Sequence, residues 1–302
     1  MNESVKSSGE DIVAQIDKFD ELPDAPPRRR LKLSWVGKLS ALVVFFWIVI
    51  VAIGPSIAPY HQMDFAADDS FLPGDSEFLL GSDYLGRDTL SRILWGARTT
   101  IGISLLATLG AYFIGITLGI AAAVKGGWLD LLISRVNDAI LSLPSIMLGL
   151  IAIAALGSSI PILIAMASVI YATSVFRIAR ALALDIMVQD FVEAAKARGE
   201  GIWWIITHEI LPNAAMPLAT DFGLRLVLVV VFISSLSFLG LGVQPPTADW
   251  GSMVRENLQG LPYDSYASIW PALAIASFTI AVNLIVDDIS AESGGSLARK
   301  MI

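Results

Sequence analysis

Six apolar stretches, each close to the length of one membrane crossing, constrain this chain more than any other feature. They cover residues 35–58, 99–124, 139–157, 160–176, 222–241 and 268–286. A helix needs roughly 20 apolar residues to cross about 30 Å of hydrocarbon. The pattern predicts an all-α polytopic membrane protein with six transmembrane helices. A length of 302 residues would otherwise suggest about two soluble domains, but 55% of the chain is hydrophobic and only 16% charged. An ordinary soluble domain is about one quarter charged.

Composition also excludes chemistry. With no cysteine the chain has no disulfide and no thiolate metal site, and a net charge of −8 argues against nucleic acid as a partner. The first apolar run is too long, and is preceded by too much polar sequence, to be a signal peptide. Arg28, Arg29, Arg30 and Lys32 read as the basic flank of a first membrane helix, with a twin-arginine address as the weaker alternative. Threading the chain with both ends inside leaves only Arg87, Arg92, Arg98 and Arg255 of the 20 Lys and Arg on the outer side. That asymmetry is the positive-inside bias.

The resulting organisation has five parts. Residues 1–34 are expected to form a cytoplasmic N-terminal tail, its first 24 residues mobile, and 35–58 the first crossing. Residues 59–98 are an extracytoplasmic segment, 99–289 a membrane core with a cytoplasmic loop at 181–213, and 290–302 a cytoplasmic C-terminal tail. In the outer segment Leu85, Leu90, Ile93 and Leu94 have roughly the spacing of one helix face. The reading is either a short amphipathic helix at the interface or a plain lead-in to the second crossing. Asp88 and Arg92, four apart, can pair. Gly115 and Gly119, with Gly110 before them, form a small-residue stripe suited to close helix packing in lipid.

The most informative segment is polar without being loop-like. Residues 191–198 are mostly good helix formers, Gly199 and Gly201 permit a change of direction, and Ile202, Trp203, Trp204, Ile205 and Ile206 make an apolar patch before Pro212 limits further helix. Two short helices joined by a glycine corner are expected outside the membrane. Ala194, Ala195 and Ala197 keep the first thin enough to enter a groove on another protein.

The run Glu193-Ala194-Ala195, then Gly199, then Leu211-Pro212-Asn213, resembles the cytoplasmic "EAA" loop of ABC-importer permeases, with acidic Glu209 a departure. Residues 80–98 are similar to an outer signature of the dipeptide/oligopeptide/nickel subfamily, carried here by Gly86, Arg87 and Asp88, with Ser82 in place of a usual Thr. The stretch 235–251 resembles a further hallmark, and the combination resembles the second, C-type permease. Val286 departs from an expected Gly before Asp287.

The resemblance implies a type I ABC importer permease fold in the cytoplasmic membrane. It implies Glu193, Ala194, Ala195, Gly199, Leu211 and Pro212 as the loop that couples to two ATP-binding subunits. It further implies a homologous second permease, an extracytoplasmic substrate-binding protein, and peptides as cargo, with nickel chelates or another small solute as alternatives.

Other ionisable residues near the membrane are read from spacing. Asp138, just before Leu143-Pro144, is a structural cap or interhelix bond rather than a substrate contact. Asp221 and Arg225 share a helix face and can neutralise each other near the cytoplasmic surface, more as an anchor than as part of a solute pathway. Asp287 and Asp288 end the last crossing in solvent. Gly37-Lys38 lacks the spacing of an ATP-binding loop, and His208-Glu209 lacks the second His of a zinc protease. No cofactor or metal is expected, and ATP hydrolysis belongs to other subunits. An ion-coupled carrier or a non-transporting scaffold are the competing classes.

Overall fold

A computed structural model describes residues 33–298. The tail up to Lys32, its basic flank, and Arg299 and Lys300 lie outside the described residues. Among the described residues every regular element is helical. Five helices are long and apolar enough to cross a membrane, and a sixth span is present if one sharply bent pair is counted as one.

Helix α1 (Trp35–Ile57) begins at Ser34, whose hydroxyl accepts from the Gly37 amide. Helix α2 (Thr89–Lys125) begins at Asp88, whose carboxylate accepts from Ser91 N at 2.7 Å. At 37 residues and 1.5 Å each, α2 is about 55 Å long, well beyond the bilayer. Leu90, Ile93 and Leu94 are its first turns, so the separate interfacial helix gives way to the lead-in reading. Nothing between Asp88 and the apolar run breaks the ladder, since Gly96 sits under Trp250, where a Cβ would come 2.9 Å from the indole.

The third crossing differs most from expectation. It is two helices, α3 (Gly127–Leu141) and α4 (Ser145–Leu156), meeting at 91°. Pro144 lacks an amide proton and disfavours helical backbone at the residue before it, so the apolar run 139–157 cannot continue straight. Gly126 and Gly127, at φ +60° and +61°, turn the chain from α2 into α3.

Helix α5 (Ile160–Met187) continues well past Phe176, the expected end of the fourth crossing. Its Arg180 is neutralised by Asp130 of α3 through a fork of two bonds at 2.5 and 2.6 Å. Short helices α6 (Asp190–Ala197) and α7 (Ile202–Trp204) follow. A π-helical turn, Ile205–Ile210, then runs without a break into α8 (Leu211–Phe238). Pro212 does not stop this helix. The wide turn, in which Leu211 N donates to Ile206 O, makes room for its ring. Beyond α8, Asp249 caps α9 (Trp250–Asn257), and α10 (Ile269–Ala298) is the last span.

The glycine stripe of α2 is the main packing seam. A Cβ on Gly110 would lie 2.3 Å from Ser168 Oγ, on Gly115 2.6 Å from Val175 Cβ, and on Gly119 2.8 Å from Phe176 O. The rising pairs show that α2 and α5 run in the same direction. Helices α1 and α10 run oppositely, joined by Trp47 Nε1 donating to Ser277 Oγ and by Ser34 N donating to Asp288 at 2.8 Å. Asp288, half-exposed, thus ties the end of α10 to the residue that caps α1, and Asp287 beside it is exposed. These directions put the start of α1, the 190–210 elbow and the end of α10 at one end of the bundle, and the 59–88 loop at the other.

Candidate functional site

The elbow is fastened from below and open above. Val192 of α6 is fully buried against Ile120 of α2, Ala183 of α5, and Ile205 and Ile210 of the π turn, and Ala195, three residues on, is fully buried too. Glu193 and Ala194 are exposed on the opposite side, as are Ala197 and Gly199. Val192 thus anchors the elbow to the bundle, with Ala195 buried on the same side, while Glu193 and Ala194 form the surface a partner can reach. Gly199, at φ +82°, ends α6: its amide donates to Lys196 O, and Glu200 N donates to Ala195 O at 3.1 Å. A Cβ there would meet nothing within 4 Å, so backbone conformation alone asks for glycine. Around the corner Trp203 is 76% exposed, while Trp204 stacks on His208 at 4.7 Å. Leu211 and Pro212 are exposed where α8 begins.

A rigid stub joined to the ends of three spans, with its outer face free, can pass a push from outside into the bundle. The contact through which such a push would travel is Val192, packed on Ile120 of α2, Ala183 of α5 and the π turn that leads into α8.

Asp221 and Arg225 lie side by side, with Nη2 3.2 Å from Oδ1. They are deeper than expected. Asp221 also accepts from the hydroxyl of Tyr112 at 2.5 Å, and Tyr112 is near the middle of α2. The triad ties α8 to α2 at mid-bundle, and spacing within one helix could not have revealed Tyr112. Asp138 is exposed on α3, and its side chain bonds to none of the described residues; only its carbonyl caps, accepting from Ser142 N.

At the opposite end, Gly86, Arg87 and Asp88 are structural. Gly86, at φ +72°, turns the chain. Arg87 is 3% exposed and donates from Nε to Asp83 at 2.7 Å, and its Nη2 lies 3.4 Å from Glu256 of α9. Arg92 does not pair with Asp88, which is occupied as a cap. Instead it bonds Asp83, and Glu256 at 3.2 Å. Two cations and two anions, all buried, thus clamp the 59–88 loop to α9. Beside them Asp249 is fully buried and accepts from Thr100 Oγ1 at 2.8 Å and Ser252 N at 3.1 Å. Burial pushes its carboxyl above the usual carboxylate range, opposed by those hydrogen bonds.

Residues 115–290 match the family model described as "Binding-protein-dependent transport system inner membrane component". The chain belongs to this family. The matched region holds the elbow, the Asp221–Arg225 pair and α9, but not Asp83, Arg87 or Arg92. This inner membrane component is similar over 266 residues, at 32% identity and 86% of each chain, to the glutathione transport system permease protein GsiD of Pectobacterium atrosepticum. It is similar at 34% over 270 residues, 86% of each chain, to GsiD of Escherichia coli. Identity to the dipeptide transport system permease protein DppC of Alkalihalophilus pseudofirmus is 29% over 259 residues, covering 86% of this chain and 85% of that one. The chain is a multi-pass inner membrane subunit of an ABC importer; nucleotide hydrolysis is the work of separate ATPase subunits.

Proposed function

We propose that the chain is a peptide-translocating subunit whose elbow, on the cytoplasmic side, receives the push of an ATP-binding subunit. A homologous second permease completes the pathway, two ATP-binding subunits dock on the two elbows, and a binding protein delivers the solute at the 59–88 end. Both termini are cytoplasmic. Peptides are the cargo by analogy with the glutathione and dipeptide permeases it resembles. The supporting observation is the division of labour in α6, with Val192 and Ala195 locked into the bundle and Glu193 and Ala194 left free. Rigid-body rocking of helices around a fixed site is how such bundles alternate access.

The test is uptake of labelled glutathione and of a labelled dipeptide by cells carrying the whole transporter. Glu193→Lys reverses the charge on the free face, and Gly199→Trp puts a side chain on backbone at φ +82°. Both variants are expected to insert at normal levels and lose uptake. Normal uptake in both defeats the coupling assignment, and uptake of neither solute by the unaltered transporter defeats the cargo assignment.

A further inference from the structure

Helix α3 has two unlike flanks. On one it shares with α2 and α5 an apolar cavity of about 280 Å³, lined by Leu132, Val136, Val169 and Phe176 among others. Next to it, sharing Ile140 and Thr173 and lying at the break between α3 and α4, is a cavity of about 250 Å³ with a half-polar wall including Ser145, Tyr171 and Ser174. Tyr171 and Thr173 spend their protons on the carbonyls of Leu228 and Ile170. The hydroxyls of Ser145 and Ser174 have no partner among the described residues.

One charge accompanies this second flank, with another nearby on the helix. Asp138 lies three residues before Leu141, which lines the same cavity, so the two share a side of α3. Arg135, six residues before Leu141, is turned about 120° from it and lies off this flank. Asp138 and Arg135 are both exposed, and neither side chain has a hydrogen-bond or ion-pair partner among the described residues. Their depth follows from their neighbours: Val136 and Asn137 line a cavity with Ile114 of α2 and Ala172 of α5, near the middle of both spans. A charged side chain facing lipid at such depth costs about 2.5–3.5 kcal/mol on insertion scales, and such residues face water or protein instead. By contrast, the charged pairs Asp130–Arg180 and Asp221–Arg225 are already neutralised within the chain.

We infer that this flank is a solute-contact station near the bilayer centre. The free hydroxyls of Ser145 and Ser174 hydrogen-bond the main-chain amides of a passing peptide, and Asp138 faces its ammonium. A broken span with its site at the break is the arrangement membrane carriers use where backbone must line water. The inference rests on the peptide-import reading and narrows it to residues. Asp138 is thereby moved from structural cap to solute contact.

The chain has no cysteine, so Ser174→Cys and Asp138→Cys each give this subunit a single thiol. Val169→Cys, on the apolar flank, is the control. The complete transporter in proteoliposomes is treated with a charged, membrane-impermeant methanethiosulfonate. Modification at positions 174 and 138 is expected at least about ten-fold faster than at 169, slowed when binding protein loaded with trialanine and ATP are added. Rates at 174 and 138 no faster than at 169 would place this flank against lipid or a neighbouring subunit and overturn the inference. Fast modification indifferent to trialanine would make it a wet crevice without solute and overturn it too.

Asp138→Asn is expected to raise the KM for trialanine uptake several-fold while ATP hydrolysis stimulated by the binding protein persists; an unchanged KM removes Asp138 from the station. If the unaltered transporter moves trialanine and these results fail, only this inference falls. If it moves no peptide, the import reading falls with it.

Discussion

Replacing Asp83 by Asn should be among the most damaging conservative changes outside the spans, because of what the carboxylate holds. Its Oδ1 accepts from the amides of Leu85 at 2.8 Å and Arg87 at 2.9 Å, and its Oδ2 takes the guanidinium groups of Arg87 and Arg92. Asparagine supplies one acceptor oxygen and points an NH₂ at donors, leaving the Arg pair with only Glu256. Breaking a buried pair by removing one partner costs about 3–5 kcal/mol. Glu256 is the comparison. It makes only the 3.2 and 3.4 Å contacts, and its other oxygen has no partner. Glu256→Gln keeps an acceptor in place and should cost about 1–2 kcal/mol, the range of a hydrogen bond to a charged group lost in part. At about 2–4 °C per kcal/mol for chains near this size, thermal unfolding in detergent should drop by roughly 6–20 °C for Asp83→Asn and by roughly 2–8 °C for Glu256→Gln. Tryptophan fluorescence serves as the readout, since Trp250 is buried in α9 beside the clamp. Adding Arg92→Met to Asp83→Asn should recover part of the loss, because a buried charge left alone is worse than an apolar replacement. A smaller drop for Asp83→Asn than for Glu256→Gln, or no recovery on removing Arg92, would refute the clamp as a charge-balanced unit.

Gly119→Leu should force α2 and α5 apart, since even a Cβ would stand 2.8 Å from Phe176 O and 3.0 Å from the Arg180 amide. Overpacking of this kind costs about 1–3 kcal/mol or more and should be read as a lower melting temperature, whereas Gly102→Leu, with nothing within 4 Å, should be near neutral. Asp221→Asn should lower both stability and uptake by leaving Arg225 uncompensated at mid-bundle, and Arg225→Gln in the same chain should restore part of each; absence of rescue would separate the two residues. Asp249 has its carboxyl raised in the folded state by burial, so the stability it contributes is present below the ordinary carboxylate range and fades as pH rises through the raised value. The melting temperature of the unaltered protein relative to an Asp249→Asn variant should therefore fall from pH 4 toward neutrality, and a rise would contradict the burial argument.

What could be read from the chain, and what could not, divides along a physical line. Apolar windows measure composition, so they locate the middle of every span but cannot see where a helix bends or how far it projects. The bend at Pro144 was signalled by a proline inside an apolar run, which a window average over 139–157 dilutes, and the turn at Gly126-Gly127 by paired glycines that fall between the runs. Short-range motifs were legible where the partner is local: the Gly199 corner needs only its own φ, and Asp221 and Arg225 need only one helical turn between them. They failed where the partner is distant in sequence. Arg92 was expected on Asp88, four residues away, but Asp88 is taken by the amide at the start of α2, and the guanidinium reaches Asp83 and Glu256 instead. The same holds for Val286. In place of an expected glycine, it fills the space opposite Gly223 on α8, whose Cβ would come within 2.3 Å of it. At this level the seam between α8 and α10 thus keeps a small residue, on the opposite helix. A missing family glycine is accordingly weak grounds for doubting a contact until the facing helix has been inspected. A Gly223→Val change, which would set a second branched side chain against Val286, is the substitution that should open it.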